Sequence, residues 1–122
     1  MLNKKILIVE NEIDIVESVK YVFELGGIYC LAAYDGEEAI EMVKKEKPDL
    51  ILLDIKLPKS NGYQVAKRLK SDDKHKNIPI IMLTARAQEA DIKRGMALGV
   101  DEYVTKPFDS DMLVKLVMQH IR

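Results

Sequence analysis

Cysteine is almost absent. Cys30 is the single one in 122 residues, so the chain can form no internal disulfide and no thiolate cage for a metal, and the residue reads as a small buried hydrophobe in a reducing compartment. Net charge is almost absent too. Nineteen Lys plus Arg face twenty Asp plus Glu, a formal charge of −1, which excludes a chain drawn bodily to nucleic acid or to anionic lipid. No apolar run approaches the roughly 20 residues of a membrane span, and no charged segment followed by an apolar stretch opens the chain as a secretory signal would. A cytoplasmic protein with no membrane partner and no direct nucleic-acid partner is expected. Repeats, low-complexity tracts and Gly/Ser/Pro-rich linkers are missing as well.

What the chain does have is a folding composition, 48% hydrophobic and 32% charged, in a length that suits one core. A single domain over residues 1–122 follows. Three apolar blocks are continuous rather than alternating: Ile6–Val9, Leu50–Leu53 and Ile78–Leu83. Continuous blocks are strands buried on both faces. Two weaker blocks, Ile28–Ala33 and Val100–Val104, follow Gly27 and Gly99, residues of the kind that close a helix before a strand.

Helical spacing fills the intervals: Ile15, Val16, Val19, Val22 and Phe23; Ala39, Ile40 and Val43; Val65, Ala66 and Leu69; Ile92, Met96 and Ala97; and last Met112, Leu113, Leu116 and Val117. Strict alternation of strand and helix requires a parallel sheet with helices on both faces, because right-handed crossovers put them there. The fold class is α/β, a doubly wound sandwich of five βα units.

In such sheets ligands gather at the carboxyl ends of the strands. Those ends carry Glu10-Asn11-Glu12, Asp54, Thr84-Ala85 and Thr105-Lys106-Pro107. Taken singly, acids after a strand are helix caps, Thr84 is a cap and Lys106 a surface lysine. Asp54 is harder to dismiss, since it ends an apolar run. Taken together, carboxylates supply hard oxygen ligands for Mg²⁺, Thr84 a hydroxyl and Lys106 an ammonium for phosphoryl oxygens, and Asp54 an oxygen that can attack phosphorus. Phosphoryl transfer is the chemistry this set supports.

The segment Asp54-Ile55-Lys56-Leu57-Pro58-Lys59-Ser60-Asn61-Gly62 resembles the phosphoacceptor loop of receiver domains from bacterial two-component response regulators. The resemblance runs through the whole chain: Ile6–Glu12 is similar to the first strand and acidic pocket, Met82–Ala85 to the hydroxyl loop, and Gly99–Phe108 to the lysine loop. It implies a flavodoxin-like sheet in the order 2-1-3-4-5. It makes Asp54 the phosphorylated residue, Thr84 the switch hydroxyl, Lys106 the phosphate-contacting lysine and Tyr103 the switch aromatic. Glu10, Asn11, Asp54 and the backbone carbonyl of Lys56 become the Mg²⁺ site, and the Lys106–Pro107 bond is expected cis. The partners implied are a sensor histidine kinase or a histidine phosphotransfer protein. The activity implied is that of a switch that catalyses its own phosphorylation and dephosphorylation, not of a turnover enzyme.

One position departs from the family pattern. Asn11 stands where a second adjacent acid is usual, which lowers the expected Mg²⁺ affinity by at least about tenfold. Lys56 and Arg86 flank the pocket and are expected to draw in an anionic phosphodonor. Phosphate beside Thr84 pulls the threonine inward and Tyr103 follows, reshaping the face of the fourth helix, fifth strand and fifth helix that meets a downstream partner. His75 and His120 have no partner at metal-ligand spacing and are expected to be solvated.

Three other readings stand beside this one. A receiver-like interaction module, with metal binding weakened by Asn11, would act independently of phosphorylation. A nucleotide-binding flavodoxin-like protein would need a Gly-rich loop where Glu10-Asn11-Glu12 stands. A phosphohydrolase would need a second acid where Lys56 stands. No output region follows Arg122, so the expectation is either a stand-alone receiver or a piece of a longer regulator or hybrid kinase.

Overall fold

The structure, a computed structural model, describes residues 4–85 and 89–121, with the side chains of residues 89–91 left out. Five strands alternate with five helices: β1 (Lys5–Val9), α1 (Ile13–Leu25), β2 (Tyr29–Ala33), α2 (Gly36–Glu46), β3 (Leu50–Asp54), α3 (Gly62–Lys70), β4 (Ile80–Thr84), α4 (Glu89–Ala97), β5 (Glu102–Thr105) and α5 (Ser110–Ile121). The strands form one parallel sheet in the order β2-β1-β3-β4-β5. Among the described residues no helix is long and apolar enough to cross a membrane.

The continuous blocks are central strands for the physical reason they looked so in sequence. Because side chains alternate across a strand, Ile6, Ile8, Leu50, Leu52, Ile81 and Leu83 join a core with α1 and α5, while Leu7, Val9, Ile51, Leu53, Ile80 and Met82 join a second core with α2 and α3. Both faces need apolar side chains at once. The two weaker blocks are the sheet edges, where burial is partial along β2 and β5.

Strand limits shift slightly from the sequence expectation. Ile28 and Val100 are buried but precede their strands: each donates its N–H back into the preceding helix, Ile28 to Phe23 at 3.0 Å and Val100 to Gly95 at 3.1 Å. With Gly27 at φ +83° and Gly99 at φ +93°, these are two helix ends closed by glycine in the left-handed region. Ile78 and Pro79 also lie outside β4, since the ladder with β3 starts at Ile51↔Ile80. At the other end β3 and β4 each run one residue further than the apolar blocks, so Asp54 and Thr84 are strand residues.

Met96, Ala97 and Met112 lie on helices as their spacing predicts, but Met96 and Met112 are exposed, at 52% and 57%, and Ala97 is exposed as well; among the described side-chain positions of α4 the buried one is Gly95. His75 is not solvated: it is buried at 7%, with Nδ1 3.1 Å from Asp72 Oδ2. His120 is half-buried and pairs with Glu102 at 3.5 Å, which ties α5 to β5. Cys30 is buried in the α1/α5 core as expected.

Candidate functional site

Alternation also decides which polar side chains meet. Leu50 and Leu52 point to the α1/α5 face, so Asp54 follows them; Ile6 and Ile8 do the same for Glu10, and Val104 for Lys106. The three meet. Lys106 Nζ donates to Glu10 Oε1 through a short hydrogen bond and to Asp54 Oδ2 at 3.1 Å. Glu10 Oε2 accepts from the backbone N–H of Glu12 at 3.1 Å, and Asp54 Oδ1 from that of Lys56 at 3.2 Å. Glu10, Asp54 and Thr84 are the buried polar residues at this end of the sheet.

Asp54 and Thr84 open onto a cleft of about 490 Å³ lined also by Asn11, Glu12, Ile55, Lys56, Ala85 and Lys106, while Glu10 is wholly buried and joins it through Lys106. The structure thus brings together every residue assigned to acceptor, hydroxyl, lysine and metal roles. Thr84 enters from the other parity, on the side of Met82, and its carbonyl accepts the Lys106 N–H at 2.7 Å. Lys56 is exposed at the cleft margin. Arg86 lies outside the described residues. The Lys106–Pro107 bond is cis.

Electrostatics within the cleft are those of an enclosed pair of acids with one cation. Burial pushes the Glu10 carboxyl above its ordinary value, against the opposing pull of its hydrogen bonds from Lys106 and Glu12. Burial by itself would lower the Lys106 ammonium, but hydrogen bonding to Glu10 and the charge and hydrogen bond of Asp54 outweigh it, so Lys106 holds its proton more tightly than a free lysine.

The loop after Asp54 is held by Asn61 and Gly62, residues read in the sequence only as part of the Asp54–Gly62 segment and given no role of their own. Gly62 N–H donates to the Ile55 carbonyl at 2.7 Å, and a Cβ on Gly62 would lie 2.4 Å from the Asp54 carbonyl oxygen. Only glycine lets α3 start against the end of β3 at Asp54. Asn61 caps α3 in a reciprocal capping box with Gln64, a pattern readable as Asn three residues before Gln. Glu12, by contrast, stands at the N-cap of α1 and makes no side-chain capping bond; Glu10 serves Lys106 and the loop N–H instead.

The donor set for a divalent cation consists of hard oxygens: the Glu10 and Asp54 carboxylates, the Asn11 amide oxygen and the Lys56 carbonyl. These fit Mg²⁺ in kind. They are one carboxylate short in charge, and among the described residues no three His, Cys, Asp or Glu side chains group as a metal cage.

A five-stranded parallel sheet in the order 2-1-3-4-5, with an acid, a hydroxyl and a lysine lining one cleft at its strand ends, defines a doubly wound class of α/β protein. Residues 6–118 match the response regulator receiver domain family, and the chain belongs to that family. It is 44% identical over 114 residues to the phosphate regulon transcriptional regulatory protein PhoB of Pseudomonas aeruginosa, covering 93% of this chain and 50% of that protein. It is 47% identical over 107 residues to the alkaline phosphatase synthesis transcriptional regulatory protein PhoP of Bacillus subtilis, covering 88% of this chain and 44% of that one. The chain spans about half the length of these relatives. Among solved structures it resembles a two-component response regulator from Clostridium difficile, with a TM-score of 0.92 at 30% identity over 98% of this chain and 97% of that one. It also resembles the receiver domain of a sensor histidine kinase from Pseudomonas aeruginosa, described with a magnesium ion coordinated in its active-site cleft, with a TM-score of 0.89 at 26% identity over 98% of each chain.

Proposed function

We propose that the chain is a cytoplasmic phospho-accepting switch that takes a phosphoryl group onto Asp54 from a sensor histidine kinase or a histidine phosphotransfer protein. The observation that carries this is Lys106 Nζ lying 3.1 Å from Asp54 Oδ2 in a cleft that Thr84 also lines. An Asp54 carboxylate oxygen attacks phosphorus. The bond from phosphorus to the donor's imidazole nitrogen breaks, and that nitrogen keeps the electron pair and is protonated as it leaves. The product is an aspartyl phosphate.

Lys106 then neutralises charge on the phosphoryl oxygens while it remains held by Glu10, and Thr84 donates a hydrogen bond to one of them. The exposed Lys56 at the cleft mouth favours approach of an anionic donor. Glu10, Asn11, Asp54 and the Lys56 carbonyl would hold Mg²⁺, which would supply further charge neutralisation when bound; Asn11 in place of an acid would lower its affinity. Loss of the acyl phosphate to water resets the switch.

Beside the cleft, a groove of about 600 Å³ lined by apolar Ile15, Pro107 and Phe108 and by charged Glu12, Asp14 and Lys106 suits a docking helix of the donor. Output passes through the α4, β5 and α5 face, where Met96 and Met112 are exposed, with Thr84 and Tyr103 as the moving parts. Residues 1–122 act as the receiver unit, and the meeting of Asp54, Thr84 and Lys106 at one cleft favours the switch over a phosphate-independent module.

The test is incubation with acetyl phosphate, with and without Mg²⁺, wild type beside Asp54→Ala. Mg²⁺-dependent mass gain of one phosphoryl group in the wild type alone is expected. Absence of labelling, or equal labelling of Asp54→Ala, rejects the reading.

A further inference from the structure

Tyr63 and Tyr103 come from elements far apart in sequence and meet on the α2/α3 face of the sheet. Tyr63 is the second residue of α3, one after the glycine packed against Asp54, and its side chain is 4% exposed. The Tyr103 hydroxyl donates to the Tyr63 hydroxyl at 3.3 Å. The Arg94 guanidinium carbon sits 4.3 Å from the centroid of the Tyr63 ring, an arrangement that holds the ring in place by cation–π attraction.

The Tyr103 ring reaches Tyr63 by running beneath α4 at Gly95. A Cβ at position 95 would lie 1.9 Å from the Tyr103 hydroxyl oxygen and 2.7 Å from Cζ. Those distances are impossible, so the slot exists only because position 95 has no side chain. A glycine inside a helix is locally unfavourable, and here its packing reason is the tyrosine under it. Two independent features, the slot and the hydroxyl pair, favour the same packed position of Tyr103.

We propose that Tyr63 is a positioning residue for Tyr103: its hydroxyl, with the slot at Gly95, holds the aromatic ring packed under α4 before any phosphoryl group arrives, and so sets the resting bias of the α4–β5 face. This rests on the reading of Tyr103 as the switch aromatic. Thr84 then acts on an equilibrium already tilted. Since Tyr63 directly follows Gly62, whose backbone lies on the Asp54 carbonyl, a shift of the acceptor loop reaches Tyr103 through α3 as well as through Thr84.

The experiment follows the ring signals of ¹³C-labelled tyrosine by NMR in the full, unphosphorylated chain, which has five tyrosines. Tyr63→Phe keeps the ring and its Arg94 contact and removes only the hydroxyl. The expected result is a displaced Tyr103 signal with about a fivefold rise in the unpacked population, the ratio that one neutral hydrogen bond is worth. Gly95→Ala, checked for folding by circular dichroism, is expected to shift the Tyr103 signal fully to the unpacked position. An unmoved Tyr103 signal in Tyr63→Phe, even with a lowered melting temperature, shows a merely structural tyrosine and overturns the proposal, as does a packed Tyr103 in folded Gly95→Ala. Acetyl phosphate labelling of the wild type is read separately: its failure removes the switch reading, while the resting-state comparison still decides the position of Tyr103.

Discussion

Lys106 spans the cleft to Asp54, its Nζ 3.1 Å from Oδ2, while the same ammonium is held by Glu10, a carboxylate with no solvent exposure. One cation serves two acids. Its removal leaves a wholly buried carboxylate without a counter-ion, which is far more costly than loss of a surface pair.

Lys106→Met is therefore expected to lower the free energy of unfolding by about 3 kcal/mol near neutral pH, and Lys106→Met with Glu10→Gln to recover part of that loss. Urea unfolding of the single and double variants measures both. A single variant as stable as the wild type would show that Glu10 is solvated in solution.

The pH dependence of that variant has a definite sign. Glu10 is raised above its ordinary value by burial, and Lys106 opposes the rise. A carboxyl whose folded value is raised contributes stability below its unfolded value and loses it as pH rises through the folded one. Without Lys106 the rise is larger, so the deficit of Lys106→Met shrinks as pH falls into the carboxylate range, where Glu10 takes up a proton. Urea midpoints compared at about pH 7 and about pH 5 check it; a deficit that grows on acidification contradicts this account.

Asn11 faces the cleft as an amide. Asn11→Asp restores a third carboxylate and is expected to raise Mg²⁺ affinity by at least about tenfold, read by calorimetric titration of the unphosphorylated chain. Equal affinity in both proteins would remove Asn11 from the metal site.

At Gly62 a methyl group would collide with the Asp54 carbonyl oxygen at 2.4 Å. Backbone cannot yield as a side-chain tip can, so Gly62→Ala is expected to cost about 2 kcal/mol in thermal unfolding and to slow labelling of Asp54. Wild-type stability and labelling together would show that the α3 start is free to shift.

Burial pushes the Cys30 thiol up to about 12 from 9.0. Native protein is expected to resist alkylation at about pH 8 and to react only once unfolded. Since the folded value is the higher one, the thiol's contribution to stability is lost as pH rises between those two values. Rapid labelling of folded protein would place Cys30 at the surface.

The parallel sheet was legible from Ile6–Val9, Leu50–Leu53 and Ile78–Leu83, because burial on both faces leaves no polar position inside a strand. The glycines at 27 and 99 marked helix ends, since few other residues accept a positive φ. Asp54, Thr84 and Lys106 were legible as strand-end residues, and the resemblance supplied their roles. Less legible were Met96 and His75. Helical spacing placed Met96 on an apolar stripe, yet it is exposed, and the Tyr103 ring packs under α4 at Gly95. The polar stretch around His75 gave no hint that the imidazole would be buried and held by Asp72.

Sequence alone determined the alternation of strand and helix, the core residues of the central strands and the set of groups at the strand ends, because each of these depends on local periodicity and on chain connectivity. Tertiary structure alone decided that one ammonium bridges Glu10 and Asp54, that Gly62 lies on the Asp54 carbonyl and that Tyr103 reaches Tyr63 under Gly95. Those contacts join residues 40 to 96 positions apart or depend on space left by a missing side chain, and neither distance nor empty space is written in a local pattern.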